Sequence, residues 1–587
     1  MAERTITKSS SAEYFSKNLQ QVGFSSFTKA VLTTIKEAID NSMDACEDAG
    51  ILPEIRVEIQ RIGTGSSKGA DLIRVVVDDN GPGIGKDDVV KVFGEYLASS
   101  KFGRGRCSRG QQGIGISAVT TWAQLTHGIG AQVITKTKAM RQALKCIVEV
   151  DIKHNEGTIR NTESIDWDRP NGVRCEFVMD GRVQLNGEGG ILTYLVGTTL
   201  VNPHLTIHYK LLDDDWVTSE RLSTENPEIP ESTSPHPHTL KLGEFLTHSH
   251  LFGKVTLRNF LKNGFSRIQE PAFKDMVTAG VPAKNLDKSI ASLTDEDLRA
   301  VYIALQNIKL MAPSTKSVMA IGEANMAKSI QRIGEVDFFS VVSRKPVICD
   351  FKPVLFEVAI ARKKNVTDEN DSPVQILRFA NRVPLQFDKA SCAMVKAVES
   401  VNWKAYGMAQ PKGSLPQGPY VFAISLVSPF IKFKNASKET VDASDELVEE
   451  IRKALIQCGQ KLATHIRREA KEADVERKLQ HIELFAPILV AGAARIVGAN
   501  KQREQKALEG LAKILGRDAS VAEDELQKAH EKADNQALKM KAKLGLGDED
   551  VVDEETVDEE KKSSRLAPKG QMTLLDDDIP VKKRKKA

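Results

Sequence analysis

Paired cysteines are missing from this sequence. Its seven, Cys46, Cys107, Cys146, Cys175, Cys349, Cys392 and Cys458, are scattered over 587 residues without a CxxC pair. An odd, dispersed set excludes a disulfide frame or a zinc site and reads as reduced thiols in an intracellular protein. Long apolar runs are missing too. The richest, Leu484–Ala494, holds a proline and is too short to span a bilayer. Met1-Ala2-Glu3-Arg4 lacks the apolar core of a secretory signal. No excess of one charge exists either: 82 Lys and Arg face 79 Asp and Glu, so net charge says almost nothing about nucleic acid. Any DNA contact must rest on local patches, because affinity comes from phosphates neutralised at the contact surface. What is present is 41% apolar and 27% charged residues, enough for packed cores in a chain expected to form three or four domains.

From Ser10 to about Ile229 the pattern mixes helices and strands. Tyr14–Leu19 and Lys29–Ala49 read as helices. Glu54–Ile59 alternates like a half-buried strand, and Leu72–Val77, Ala131–Thr135, Lys145–Asp151, Val173–Met179 and Leu205–Tyr209 follow as further strands. Helices early and strands later fit an α+β sandwich with helices stacked on one face of a sheet. A Pro/Ser/Thr/His-rich stretch, Asn226–Thr239, reads as a linker. Lys241 to Leu310 is almost wholly helical, with an amphipathic run at Leu286–Ile308. Strands are expected again at Val347–Ile360, Gln375–Phe379 and Tyr420–Leu426, then a long helix from Ala443 to about Lys478. Beyond it the chain is charged, with an acidic run at Asp548–Glu560 and a basic cluster at Lys582–Lys586, both expected to be solvated tails.

Three short segments carry chemistry. In Glu37-Ala-Ile-Asp-Asn41-Ser-Met-Asp44-Ala45, the polar residues Glu37, Asn41 and Asp44 are four and three apart and share one helix face. An Asn amide oxygen suits Mg²⁺, and a carboxylate one turn earlier could deprotonate a water aimed at a phosphate. The same residues would also serve as a solvated helix face. Next, Asp78-Asp79-Asn80-Gly81-Pro82-Gly83-Ile84-Gly85 follows a strand. Its glycines let the backbone approach a ligand. A carboxylate at the strand end can accept from an exocyclic amine such as that of adenine, with discrimination on the order of 1–3 kcal/mol. Taken alone, the segment could be a plain turn. Third come Ser99-Ser100-Lys101 and Arg109-Gly110-Gln111-Gln112-Gly113-Ile114-Gly115-Ile116-Ser117-Ala118. A glycine-rich loop running into a helix presents N–H groups to phosphate oxygens, and no GxxxxGK[ST] loop occurs there. Together and in this order, the segments are specific.

The set resembles the Bergerat ATPase fold shared by gyrase B subunits, MutL-type repair proteins, heat-shock chaperones and histidine kinases. Ala12-Glu13-Tyr14-Phe15, Val22-Gly23-Phe24, Asn41–Cys46 and Ala49-Gly50-Ile51-Leu52-Pro53 resemble the topoisomerase VI B subunits, type IIB enzymes, in particular. The resemblance implies Glu37 as general base and Asn41 as the Mg²⁺ ligand. It implies Asp79, with Gly81 and Gly83, at the adenine, and Ser100, Lys101 and Gly110 through Ser117 as the phosphate lid. Asp40 stands where relatives often carry Glu. Downstream, Asn263–Arg267 to Gly280, Leu286–Ala312 and Ile321-Gly322-Glu323 resemble the family's helix–two-turns–helix insert. There Lys262, Arg267 and Lys274 could touch DNA phosphates, or simply be solvated. Ser343–Pro346, Leu377–Leu385 and Phe430–Glu439 resemble its transducer, whose lysine reaching the γ-phosphate aligns with Lys438. Trp403-Lys404-Ala405-Tyr406 resembles a motif facing the captured duplex, although a buried structural Trp would fit as well.

The implied architecture is α+β: an ATPase sandwich (1–230), the helical insert (231–310), an α/β transducer with a long helix (311–475) and a charged helical extension and tail (476–587). The implied function is ATP-driven DNA strand passage with Mg²⁺, by a homodimer of B subunits working with cleaving A subunits in an A2B2 assembly. Cytoplasmic, nucleoid-associated residence follows, or a nuclear one in a eukaryotic host, with no membrane. Gln571-Met572-Thr573-Leu574-Leu575 resembles a sliding-clamp peptide, but it ends in Leu where such peptides carry Phe. Two other classes stay open at this point: an ATP-driven clamp acting on protein partners, and a non-hydrolysing DNA-binding scaffold.

Overall fold

Serine hydroxyls start the first two helices. Ser10 accepts from the Glu13 N–H to open α1 (Ser11–Lys17), and Ser26 accepts from Lys29 to open α2 (Phe27–Asp48). The computed structural model describes residues 9–513, except 100, 102–104, 111, 251, 253, 365–370, 504, 511 and 512. A hairpin of β1 (Glu54–Thr64) and β2 (Asp71–Asp79) follows, then α3 (Lys86–Gly94), α4 (Gly115–His127), β3 (Ala131–Lys136) and β4 (Ala143–Asp151). After them come β5 (Glu156–Ile165), β6 (Gly172–Gly181), α5 (Ile191–Val201), β7 (Thr206–Leu211) and β8 (Val217–Ser219). The sheet order is β5-β4-β3-β6-β2-β1-β7-β8, antiparallel throughout except for the parallel β1–β7 pair.

Alternation explains the packing. Ile55, Val57 and Ile59 of β1 and Ile73, Val75 and Val77 of β2 point to the same side of the sheet. They share one core with Ile35, Ile39 and Met43 of α2 and with Ala118 and Val119 of α4. Apolar residues three and four apart on α2 make the matching stripe. The sequence reading did not anticipate β5, α3 or α5. β5 is exposed along nearly its whole length, so it carries no apolar alternation, and only its pairing with β4 makes it a strand.

The next layer is helical: α6 (Leu242–His250), α7 (Leu257–Gly264), α8 (Glu270–Thr278), α9 (Ala283–Leu286) and α10 (Asp295–Asn307). Phe245, Phe260, Phe265 and Phe273 centre a separate core. The expected continuous run Leu286–Ile308 is broken. α9 ends at Leu286, and Thr294 with Asp297 forms a reciprocal capping box that begins α10 afresh.

A second sheet follows α11 (Glu323–Ile330). It comprises β9 (Val336–Ser343), β10 (Val347–Cys349), β11 (Lys352–Lys363), β12 (Gln375–Ala380), β13 (Val383–Leu385) and, after α12 (Ala393–Ser400), β14 (Tyr420–Val427). Its order is β10-β11-β14-β12-β13, with β9 on β11. The expected single strand Val347–Ile360 is in fact a hairpin. Asp350 and Phe351 turn it with φ of 48° and 57°, the left-handed pair that a tight two-residue turn requires. Asn381 and Arg382 turn β12 into β13 the same way, at 49° and 63°.

By its contacts the chain divides into two units. One runs through Asn402 and takes in Ala409–Cys458; the other comprises Trp403–Met408 and, among the described residues, the chain from Gly459 on. The boundary falls within α13 (Asp445–Val497), which starts two residues after its expected Ala443 and runs well past Lys478. No described helix is long and apolar enough to cross a membrane.

Candidate functional site

Between α2 and the N-terminus of α4 lies a cavity of about 250 Å³. Its walls include Glu37 and Asn41 of α2, Lys101, the loop residues Gly110, Gln112, Gly113, Ile114, Gly115 and Ile116, and Lys438 from beyond β14. Residues from three distant stretches therefore meet in one space. Asp79, Gly81, Gly83 and Ser117 are not on its walls. Ser100 and Gln111 lie outside the described residues, as do Gln571–Leu575 and both charged tails.

Glycine lets α4 and α2 meet closely. A Cβ on residue 115 would sit 1.7 Å from Glu37 Oε2, so alanine there would push the carboxylate off the helix end. The Ile114 N-cap offers no side-chain cap to the first turn of α4. Its N–H groups and the positive end of the helix dipole thus suit an anion. A Cβ on Gly110 would come 3.3 Å from both Asn41 Oδ1 and Lys101 Nζ, which keeps this loop tight on the helix face.

Lys101 Nζ donates to Asp44 Oδ2 at 2.6 Å and lies 3.4 Å from Asn41 Oδ1. Arg109 Nη1 donates to the other Asp44 oxygen at 2.8 Å. Burial pushes the Asp44 carboxyl upward, but Lys101 and Arg109 outweigh it and hold the group at about 2. Asp44 is therefore an ionised anchor for the loop, while Glu37 and Asn41 remain on the cavity wall.

Asp79 ends β2 and accepts from Ser42 Oγ at 2.6 Å, Gly81 N at 2.9 Å and Val173 N at 3.1 Å. Burial raises its pKa against these three hydrogen bonds. A carboxylate has about four lone-pair positions, so one more donor can still be accepted. Gly83 holds φ of 76° where a Cβ would strike the Lys136 carbonyl at 2.0 Å, and this brings Ile84 to the cavity. Ser117 is turned away: its hydroxyl donates to Glu95 O at 2.7 Å.

Lys438 reaches the glycine-rich loop before α4. Its ammonium donates to the Arg109 carbonyl at 2.7 Å, from a backbone with φ of 54°. Glu439 ties that loop to α2 through Lys29 at 2.9 Å, and Asn435 Oδ1 accepts from the Glu439 N–H at 2.9 Å. Sequence reasoning missed this tie, and it missed Glu47, Arg382 and His204, which join Arg109 in a buried cluster. Glu47 was within reach of it, lying three residues beyond Asp44 on the same helix.

The DNA candidates fare unevenly. Lys262, Lys274 and Lys404 are exposed, whereas Arg267 donates to Ala312 O at 2.8 Å. Trp403 is fully buried, its ring edge-to-face with Tyr406 at 6.0 Å, so it is a packing residue and cannot lie on a duplex. A larger cavity, about 500 Å³, lies between α5 and the second sheet beside Thr193, Gln375, Phe379 and Gln386, and none of the residues above lines it.

Two protein families match stretches of this chain. The profile of the "Topoisomerase VI B subunit, transducer" family matches residues 313–478. That of the "Histidine kinase-, DNA gyrase B-, and HSP90-like ATPase" family matches residues 28–166. The B subunit of type 2 DNA topoisomerase 6 from Archaeoglobus fulgidus is 36% identical over 83% of this chain and 79% of its own length. That of Methanococcoides burtonii is 36% identical over 78% and 72%. That of Pyrococcus furiosus is 30% identical over 87% and 95%.

Proposed function

The chain belongs to the family of type 2 DNA topoisomerase 6 B subunits, and from that premise we propose how its residues work as the ATP-binding, ATP-hydrolysing half of the enzyme. The observation that carries the reading is the meeting of Glu37, Asn41, Lys101 and Lys438 in one cavity at the N-terminus of α4. The triphosphate occupies that cavity. The first turn of α4 and the loop from Gly110 through Ile116 supply N–H donors to its oxygens, and Lys101 and Lys438 supply positive charge where charge develops on transfer. Glu37, held against Gly115, accepts the proton of the attacking water. Asp79, with one acceptor position left over, takes the adenine amine.

A Mg²⁺ ion suits this donor set. It prefers oxygen ligands, keeps several waters and is usually held by one or two protein groups plus the phosphates themselves. Asn41 offers its amide oxygen at the wall. Bound there with the nucleotide, the ion would draw off phosphate charge.

Lys438 links hydrolysis to motion. A phosphate oxygen is a stronger acceptor than the Arg109 carbonyl it now uses, because both partners carry charge. Turning the ammonium toward it carries the 435–440 loop with it. We place the domains at 1–230, 231–310, 311–475 and 476–587, with two B subunits closing on ATP around a DNA segment and A subunits cutting the strands. Lys262 and Lys274 remain DNA-facing candidates on the helical layer, and Lys404 with Tyr406 on the second unit. The transducer match favours this reading over a clamp that acts on proteins. The test is relaxation of supercoiled plasmid by the full chain, with and without its cleaving partner, in the presence of ATP and Mg²⁺. Relaxation only with both proteins, and its loss in Glu37→Gln, is expected. Equal relaxation by Glu37→Gln would overturn the assignment.

A further inference from the structure

Five charged side chains of alternating sign connect the cavity to the β12–β13 hairpin. Lys101, on the cavity wall, meets Asp44 at 2.6 Å. Asp44 meets Arg109 at 2.8 Å. Arg109 forks onto Glu47, Nη1 to Oε2 at 3.0 Å and Nη2 to Oε1 at 2.7 Å. On the same carboxylate a second fork arrives from Arg382 at the turn of the hairpin, at 3.0 and 2.6 Å. His204 Nε2 adds a contact to Glu47 Oε1 at 2.8 Å. Asn202 closes the ring, accepting from Arg109 Nη2 at 2.6 Å and donating to the Arg382 carbonyl at 3.1 Å. Asp44, Glu47, Arg109 and Arg382 are 5, 6, 3 and 6% exposed.

Such a cluster is a poor means to stability. Desolvating two guanidiniums and two carboxylates offsets most of their attraction, and apolar side chains of similar volume would often hold the fold as well. What the cluster does provide is a directional connection. The nucleotide's phosphates compete with Asp44 for Lys101. When Lys101 turns to them, Arg109 is the cationic partner left to Asp44 among the described residues, and Asp44 draws it in. Arg109 then yields part of its hold on Glu47, and Glu47 relies more on Arg382. In a buried, low-dielectric setting each such change is felt by the next contact. The hairpin is placed to pass it on. Asn381 Oδ1 accepts from Ser428 N just past β14, and β12 runs parallel to β14, whose chain leads to Lys438. Lys438 itself binds the Arg109 carbonyl, so two links converge on one residue.

We propose that Glu47 and Arg382 are positioning residues that report occupancy of the triphosphate cavity to the β12–β13 hairpin through Lys101, Asp44 and Arg109. This rests on the nucleotide reading of the cavity given above. The test is hydrogen–deuterium exchange on the full chain with ADP or with a non-hydrolysable ATP analogue, in wild type, Arg382→Lys and Glu47→Gln. Lysine keeps the charge but not the bidentate fork, and glutamine keeps the shape but not the charge.

In wild type the analogue is expected to slow exchange in peptides covering both 105–110 and 378–386, more than ADP does. Each variant keeps the first effect and loses the second. Its kcat for ATP falls by about 5-fold or more, the scale of a typical coupling between sites, while KM stays within about 2-fold. Hairpin protection and kcat equal to wild type in both variants would overturn the proposal. No nucleotide effect at 105–110 in wild type would overturn the cavity reading beneath it. A variant with lost binding as well as lost hydrolysis would mark a merely structural cluster.

Discussion

Asp40 shows how one residue beside the candidate site can be costly to the fold. Its carboxylate accepts from the Tyr194 hydroxyl at 3.2 Å. Burial, reinforced by Glu37 and opposed by Arg109 and Lys36, pushes its pKa from an ordinary 3.8 to about 6. A raised acid favours its protonated form in the fold, so its stabilising contribution is complete below about pH 4 and is lost as pH rises through 6. Asp40→Asn should therefore raise the thermal midpoint at pH 7–8, by an effect on the order of 1–3 kcal/mol. Near pH 4 the two midpoints should converge; a pH-independent difference would show that desolvation is not the cause. Gly115 makes the opposite trade. Alanine there improves helix propensity, yet its Cβ would meet Glu37 Oε2 at 1.7 Å. Gly115→Ala should hold or raise stability while hydrolysis falls roughly 10²-fold, the lower end for a displaced general base. Steady-state ATPase beside calorimetry checks it. Neither effect was legible in the sequence, because 40 and 115 look like an ordinary helix residue and one glycine among several.

Elements differ in how plainly their boundaries are written. α2 and the β1–β2 hairpin were readable because apolar spacing and alternation are strong there. The start of α10 was written locally as Thr294 and Asp297 but hidden within a longer amphipathic pattern. Thr294→Ala removes the box and should cost about 1 kcal/mol in chemical denaturation, with nucleotide binding unchanged. A loss several times larger would mean that Thr294 holds more than a cap. The β10–β11 turn could not be read at all. Nothing in Asp350-Phe351 announces two left-handed residues, and a Phe at φ of 57° is strained. Its ring stacks on His236 at 5.3 Å, a contact from the distant 226–239 stretch that helps hold the turn. That stretch, expected as a linker, is thus partly built into the structure.

On the scale of the whole molecule, the proposed ATP-gated closure requires that the nucleotide favour the closed dimer over the open monomer, since only differential binding shifts such a balance. Sedimentation of the full chain should show dimer with Mg²⁺ and the non-hydrolysable analogue and monomer with ADP. Identical profiles would remove ATP-gated closure. The order of the three nucleotide segments, the helix face of Glu37 and Asn41 and the glycine loop at α4 were all determined by sequence alone. Each depends on local spacing, and helical periodicity and glycine freedom act over a few residues. Tertiary structure decided which of those groups share a cavity, turning Ser117 to Glu95, burying Trp403 and giving Asp79 three backbone and hydroxyl donors. It alone brought Arg382 to Glu47 across 335 residues. Buried charges take their partners from packing, and packing between remote segments leaves no period in the chain.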